Sequence, residues 1–491
     1  MKKEYIIGLD LGTTSVKSLA YSLDGKVLKV ANVPISTHRP SQQISEQVPD
    51  EVLSAVIKSL CEVAEGRQPM AISVSSAMHS IIAVDKDGKL LTNAIIWSDT
   101  RSIQEAEEIK KSANGHVIYK NTGTPIHPMS PLAKLVWLKK NEPEIHQNAF
   151  RFLSLKEYIL FKFFGEYVVD HSIASASGLF NNSTLQWDEI ALEIAGITSE
   201  RLSRPVPSTF QLKGLRQEYA DAIGIGKTTP FVVGASDGCL ANLGANAMKK
   251  GEASVTIGTS GAIRVASSAP IADDQERLFS YVLNEHHFIS GGPINNGGIA
   301  LQWFCQSVLQ FVEKPMDKAM ELAASVEPGA NGLVFLPYLL GERAPIWDGA
   351  AKSAFVGLTF NHTIAHMARA VLEGVAFSIK HVAEALEENV GKLDVVYASG
   401  GFANSDLWVQ ILADVLGAKI NITESHENSA IGAAILGLYA LGNISDLSNL
   451  SDLVKVSREF NPNPTFREKY SKNFEVYRGL YGKLKDDFHS I

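Results

Sequence analysis

Two short turns of the same make stand 246 residues apart. In the first, Asp10-Leu11-Gly12-Thr13-Thr14 leads on to Lys17; in the second, Ile257-Gly258-Thr259-Ser260-Gly261 leads on to Arg264. Successive backbone N–H groups in such a turn form a concavity for an anion. Glycine lets the anion approach the chain closely. Thr13, Thr14, Thr259 and Ser260 add hydroxyl donors, and Asp10 is a carboxylate suited to hold Mg²⁺ through water beside a phosphate. The other reading is two unrelated polar hairpin turns. Repetition at half the chain length favours two similar α/β domains that hold phosphates from either side of a cleft.

Other polar residues stand at the ends of apolar runs, where ligands of open α/β sheets collect. Asp237, between Ser236 and Gly238, comes after Pro230–Ala235 in a turn of small residues that gives a substrate hydroxyl room to reach a carboxylate. It is either a proton acceptor or a turn cap. Met78-His79 and Trp97-Ser98-Asp99-Thr100-Arg101 close two runs of the first half. His79, Asp99 and Arg101 there either hydrogen-bond a polyol, pair with an acid, or serve the fold. Gly400-Gly401, before a helix capped by Asn404 or Ser405, suits the flat face of an adenine or an ordinary turn. Asn295-Asn296 either cap the helix expected over 297–311 or bind substrate. Two look-alikes fail. Gly224-Ile225-Gly226-Lys227-Thr228 has Asp221 where a P-loop needs its first glycine. His286-His287 has no third ligand at metal-site spacing.

The elements that carry these residues are set by apolar spacing. Strands are expected at 5–33, with a hairpin at Asp24-Gly25, and at 71–76, 94–97, 230–236, 253–265, 333–337 and 394–398. Helices are expected from Pro49 to about Glu65, over 103–111, 132–141, 155–164 and 364–389, and over 430–441, where Ala and Gly dominate. The chain after Ser445 reads as a surface helix and loop. At 491 residues, two or more cores are expected. Net charge is −8 and no dense Lys/Arg run occurs, which argues against nucleic acid or an anionic membrane as partner. Three scattered cysteines fit a reducing compartment. No apolar run approaches the ~18–20 residues of a membrane span, and Met1-Lys2-Lys3-Glu4 runs straight into a strand pattern. A cytoplasmic protein is expected.

Seven segments, taken in order, resemble the FGGY carbohydrate kinases. They are Asp10–Thr14, Trp97-x-Asp99-x-Arg101, Ser236–Gly238, Ile257–Gly261, Gly341-Glu342-Arg343-Ala344-Pro345, Ser399-Gly400-Gly401-Phe402 and Glu427–Ala434. The resemblance implies two ribonuclease-H-like domains of the actin, Hsp70 and sugar kinase ATPase type, flanking a cleft. Domains are expected at 1–247, binding sugar and carrying the first phosphate turn, and at 248–491, binding nucleotide, with the tail after about 440 packing back on the first. Asp237 is then the catalytic base. Asp10 serves Mg²⁺. Gly12, Thr13, Thr14, Lys17, Gly258, Thr259, Ser260 and Gly261 hold the phosphates of ATP, and Gly400, Gly401 and Asn404 line the adenosine pocket. Met78 and His79 match the sugar-contacting pair of the xylulose kinase-like branch; Trp97, Asp99, Arg101, Asn295 and Asn296 join them as sugar-site candidates. Gly292–Gly298 and Pro337–Asp348 resemble the gluconate-phosphorylating branch. The substrate implied is D-gluconate, with xylulose or another ketose or polyol as the alternative, and an ATP-driven switch without catalysis as the alternative of another class. The family also implies a homodimer.

Overall fold

A computed structural model of the protein describes residues 4–310, 313–425 and 427–491. The chain divides into two compact units, and neither is one continuous stretch. Unit 1 takes Met1–Met248, Ser267–Ser290 and Glu427–Val454; unit 2 takes Lys249–Ala266, Gly291–His426 and Lys455–Ile491.

Unit 1 is built on a six-stranded sheet in the order Gln211–Leu212, Phe231–Ser236, Ile72–Ser76, Tyr5–Leu11, Ser15–Ser22, Val27–Pro34. Its middle strands, Phe231–Ser236, Ile72–Ser76 and Tyr5–Leu11, run parallel. Being covered on both faces, they are almost wholly buried, the three serines of Ile72–Ser76 included. The helix Pro49–Ala64 covers one face. Proline sits in its first turn with Asp50 and Glu51, and the helix buries Val52, Leu53, Val56, Leu60 and Val63.

Unit 2 repeats the plan. Glu252–Ile257 and Gly261–Ser267 form the hairpin, and Val395–Ser399 and then Lys419–Thr423 continue the sheet in parallel. The shared hairpin-plus-parallel-strand unit is the structural content of the 246-residue repeat.

Three expectations need correction. The chain does not turn at Ser236–Gly238: Asp237–Gly244 is a helix, and Ser236 caps it by accepting the amide of Cys239 at 3.4 Å. Small residues permit a turn, but a serine before Asp is equally a helix start. The helix expected over 297–311 is α-helical only at Gly298–Trp303 and continues as a π-helix at Phe304–Leu309; Phe311 lies outside the described residues. The segment after residue 445 is more than surface. Val456–Phe460 is a strand on Lys419–Thr423, and Arg467–Ser490 buries Tyr470, Phe474, Tyr477, Leu480 and Phe488. Aromatics at 470, 474, 477 and 481 make a single helical stripe that the many charges of this segment obscure.

The helix Asn428–Ala440 packs against its neighbours in unit 1 at backbone distance. A Cβ on Gly432 would stand 1.9 Å from the carbonyl oxygen of Leu240, and one on Gly244 would stand 2.0 Å from that of Asn428. On another side, a Cβ on Gly8 would stand 2.0 Å from the carbonyl oxygen of Ala430. This helix therefore lies at backbone contact with both the Asp237 helix and the Asp10 strand. Glycine to alanine in a helix ordinarily stabilises by up to about 1 kcal/mol. Here the sign reverses: Gly432→Ala is expected to cost about 1–3 kcal/mol through overpacking, read as a lower urea midpoint. An unchanged or raised midpoint contradicts the contact.

Candidate functional site

The first turn closes on itself. The Gly12 amide donates to Ser15 O at 3.1 Å, and a Cβ on Gly12 would come within 2.9 Å of that oxygen. That bond occupies the Gly12 amide, so the tip of the turn is presented by Thr13 and the exposed Thr14. Asp10, two residues before Gly12, is half-buried and accepts Ser75 Oγ at 2.6 Å from the neighbouring parallel strand. Burial raises its carboxyl above the ordinary range; the Ser75 hydroxyl and the Lys17 ammonium oppose that, and Glu427 adds to it. Lys17 is ion-paired with Glu427, the residue just before the Asn428 helix. The region thus holds two carboxylates and one cation.

The second turn is built the same way and braced differently. Gly258 N donates to Ser260 O at 2.9 Å, and Gly298 N donates to Gly258 O at 2.6 Å. Gly297 and Gly298 are glycines because a Cβ at either would fall 2.6 Å and 2.8 Å from carbonyl oxygens of this turn. Position 256, equivalent to Asp10 under the repeat, is a threonine; its Oγ1 lies 3.1 Å from Ser399 Oγ on the parallel neighbour. The polar contact is kept and the charge is not. Gly400 has φ +96°, and a Cβ there would lie 2.4 Å from Ile257 O, so close packing accounts for it. Gly401 has open space around it, and Asn404, at the end of the short helix Gly401–Asn404, is exposed.

In unit 1 the motifs expected to meet a sugar lie against the first turn. Trp97 Nε1 donates to Thr13 Oγ1 at 2.9 Å, and Gln47 Nε2 donates to Thr13 O at 2.7 Å. Gly12, Thr13, Gln47, Met78 and Trp97 line one small recess. His79, buried at φ +69°, is held at both ends. Its Nδ1 is 2.7 Å from Ala176 O, and its carbonyl accepts Lys134 Nζ at 2.6 Å. Lys134 also donates to Ile96 O at 2.8 Å, beside Trp97, and weakly to Ile95 O at 3.4 Å. It thereby ties together the two loops that carry Met78-His79 and Trp97. Asp99 and Arg101 form a bidentate pair, and Arg101 further reaches Glu46 at 2.6 Å. Asp99 is fully buried and also accepts the Ser45 amide at 2.7 Å. This pair clasps the Trp97 loop, and the Arg101 charge is met by carboxylates of the protein itself.

Asp237 is the first residue of its helix and is partly exposed; its Oδ1 accepts the Gly238 amide at 2.7 Å, and its carbonyl accepts Ser429 Oγ at 3.2 Å. Asn295 and Asn296 belong to unit 2 and do not cap a helix, since Gly297 stands in the cap position. Asn296 donates to Gly341 O at 2.7 Å and accepts the Leu340 amide at 3.1 Å. Asn295 donates to Leu340 O at 2.9 Å and accepts Arg343 Nε at 2.7 Å. Both amides grip the Gly341–Pro345 loop, where burial pushes Glu342 up to about 7. Sequence reasoning passed over Gln47 and Lys134. Lys134 did leave a signal: a single cation within the apolar run Leu132–Leu138.

Known proteins share this architecture. Models of the N-terminal and C-terminal domains of the FGGY family of carbohydrate kinases match residues 5–244 and 253–441. The chain is 44% identical to the gluconokinase of Bacillus licheniformis, over 99% of this chain and 97% of that one. A crystal structure of gluconate kinase from Lactobacillus acidophilus matches with a TM-score of 0.96 at 34% identity, over 100% of both chains. Ligand-bound xylulose kinase from the same organism matches with a TM-score of 0.96 at 35% identity, over 99% of both.

Burial lowers Lys134 from 10.5 to about 7. The two N–H groups of a neutral amine match its two short bonds. The unfolded chain keeps this proton up to about 10.5 and the folded chain releases it near 7, so stability rises with pH across that window. Lys134→Met leaves buried carbonyls without a donor and is expected to cost about 1–3 kcal/mol. Urea unfolding at a series of pH values between 7 and 10 should show the parent gaining stability and the variant gaining less; equal slopes contradict the assignment.

Proposed function

The chain belongs to the FGGY family of carbohydrate kinases, and on that premise we propose that it transfers the γ-phosphoryl group of ATP to O6 of D-gluconate. The observation that carries this reading is Asp237, a partly exposed carboxylate at a helix start beyond a buried parallel strand. Phosphoryl transfer asks little of a protein beyond positioning, charge neutralisation and a group to take the hydroxyl proton. Asp237 takes that proton as the hydroxyl attacks. The tips of the two turns, Thr13-Thr14 and Thr259-Ser260, hold phosphate oxygens by N–H and O–H donation. Gly401 and Asn404 offer an open, exposed face for adenosine.

Asp10 fits Mg²⁺ held through water. It is a single carboxylate braced by Ser75. That suits a cation that keeps its waters and is carried largely by phosphates. When bound, Mg²⁺ neutralises charge on the transferring phosphoryl group. Thr256 at the equivalent place in unit 2 offers no second carboxylate.

The sugar acid is assigned to the recess beside Met78, Trp97 and Gln47. Arg101 is neutralised by Asp99 and Glu46, and Asn296 is spent on the 340–341 backbone. His79, also expected to meet a substrate carboxylate, is itself buried with Nδ1 on the Ala176 carbonyl oxygen. The substrate is chosen over xylulose because the gluconokinase likeness runs the full length of the chain at the higher identity.

Asp237→Ala is expected to lower turnover by about 10²–10⁴-fold, with ATP affinity by calorimetry near that of the parent. Turnover near the parent's would rule out Asp237 as base. A coupled ADP assay over gluconate, xylulose, ribulose and glycerol should give gluconate the highest kcat/KM. Strong activity on xylulose with none on gluconate would reassign the substrate, and ATP hydrolysis indifferent to every sugar would favour the switch reading.

A further inference from the structure

The strand that delivers Asp237 does not arrive in regular register. Its pairing with Ile72–Ser76 runs Phe231↔Ile72 and Val232↔Ser73, and resumes only at Ala235↔Ser75. Val233 and Gly234 thus oppose Val74 alone. Gly234 sits at φ +72°, and a Cβ there would stand 1.8 Å from Val74 O. A bulge of this kind bends the strand and re-aims the residues beyond it, at the cost of ladder bonds.

Those residues are held by other elements. Lys156, in the helix Leu155–Phe164, donates to Ala235 O at 3.1 Å and to Asp170 Oδ2 at 2.6 Å; both side chains of this ion pair are 1% exposed. Asp170 Oδ1 caps the helix His171–Ser175 by accepting the Ile173 amide at 2.9 Å. From that helix, Ser172 Oγ accepts the Ser236 amide at 3.1 Å and donates to Ser236 Oγ at 3.0 Å. Both residues that precede Asp237 are therefore gripped, one directly by the ion pair and one through the helix it caps.

A buried ion pair is a poor way to gain stability, since apolar residues of similar volume often do as well or better. We propose that the Lys156–Asp170 pair is a positioning device for the proton acceptor: it fixes the direction in which the bulged strand hands Asp237 to its helix. This rests on the reading of Asp237 as the base. Neither residue of the pair is a catalytic residue; both act through Ala235, Ser236 and the bulge.

The test uses the full-length enzyme with Lys156→Met, Asp170→Asn, and the two together. Asparagine keeps the helix cap, and the double variant removes both charges at once. Lys156→Met alone should melt well below the parent because it strands a buried carboxylate. The double variant should recover most of that loss, yet keep a kcat roughly ten- to a hundredfold low, the size expected of a small misplacement. KM values for ATP and sugar should stay near the parent's. Recovery of kcat together with the melting temperature would overturn the proposal. So would a kcat loss matched by a rise in sugar KM, since the pair would then be building the recess. If the double variant does not fold, Asp170→Asn alone is read for the same split, and a parental kcat there overturns the proposal. Asp237→Ala is measured alongside. If it keeps its turnover, the base reading fails and this proposal with it; if it is inactive while the double variant has parental kcat, only the positioning proposal fails.

Discussion

Unit 1 depends on one constraint, the approach of the Asn428–Ala440 helix to within backbone contact of its neighbours. Gly244 and Gly432 remove the Cβ atoms that would hold the Asp237 helix away, and Gly8 does the same for the strand that ends at Leu11, beside Asp10. No side chain is interposed that could change rotamer and let the elements drift. The positions of Asp10, Asp237 and the Lys17–Glu427 pair are therefore set by main chain against main chain, the stiffest form of packing available. Ser429, donating to the Asp237 carbonyl, adds a hydrogen bond at the same contact.

The repeat shows how one backbone plan is given two electrostatic jobs. Each unit offers a Gly-Thr hairpin beside a parallel strand, and in each a serine of that strand meets the residue two before the glycine. Unit 1 places aspartate there and unit 2 threonine. With threonine in that place the second turn keeps the polar contact and carries no carboxylate there. Unit 2 instead invests glycines: Gly297 and Gly298 let a helix N-terminus come down on the turn and give its amides to the turn's carbonyls.

The fold class, the paired turns and most strands and helices were legible in the sequence because they rest on local signals: apolar spacing, glycine, and helix caps such as Ser405. What was not legible depends on partners distant in the chain. Arg101 has the chemistry to bind an acid, and only the fold reveals that Glu46 already occupies it. Asn295-Asn296 looked like a helix cap or a ligand pair, but the loop at 340–343 consumes both amides. Gly400 looked available to a ring, and the strand ending at Ile257 explains it by proximity. The C-terminal helix was hidden for a different reason: its aromatic stripe is diluted by charged residues that face solvent.

The interleaving of the two units has a consequence for how the chain is made. Gly8 and Ala430 touch although 422 residues separate them, and the chain passes between the units five times. On a ribosome adding roughly 5–20 residues per second, the central sheet of unit 1 has emerged well before the helix that must seat on it exists. During that interval the surface meant for the Asn428 helix, lined by Gly8, Leu240 and Gly244, stands uncovered in the nascent chain. Contacts of such long range also slow folding through loop-closure entropy. The same glycines that make the finished unit stiff thus leave its half-made form with a bare apolar seat, open to chaperones and to neighbouring chains alike.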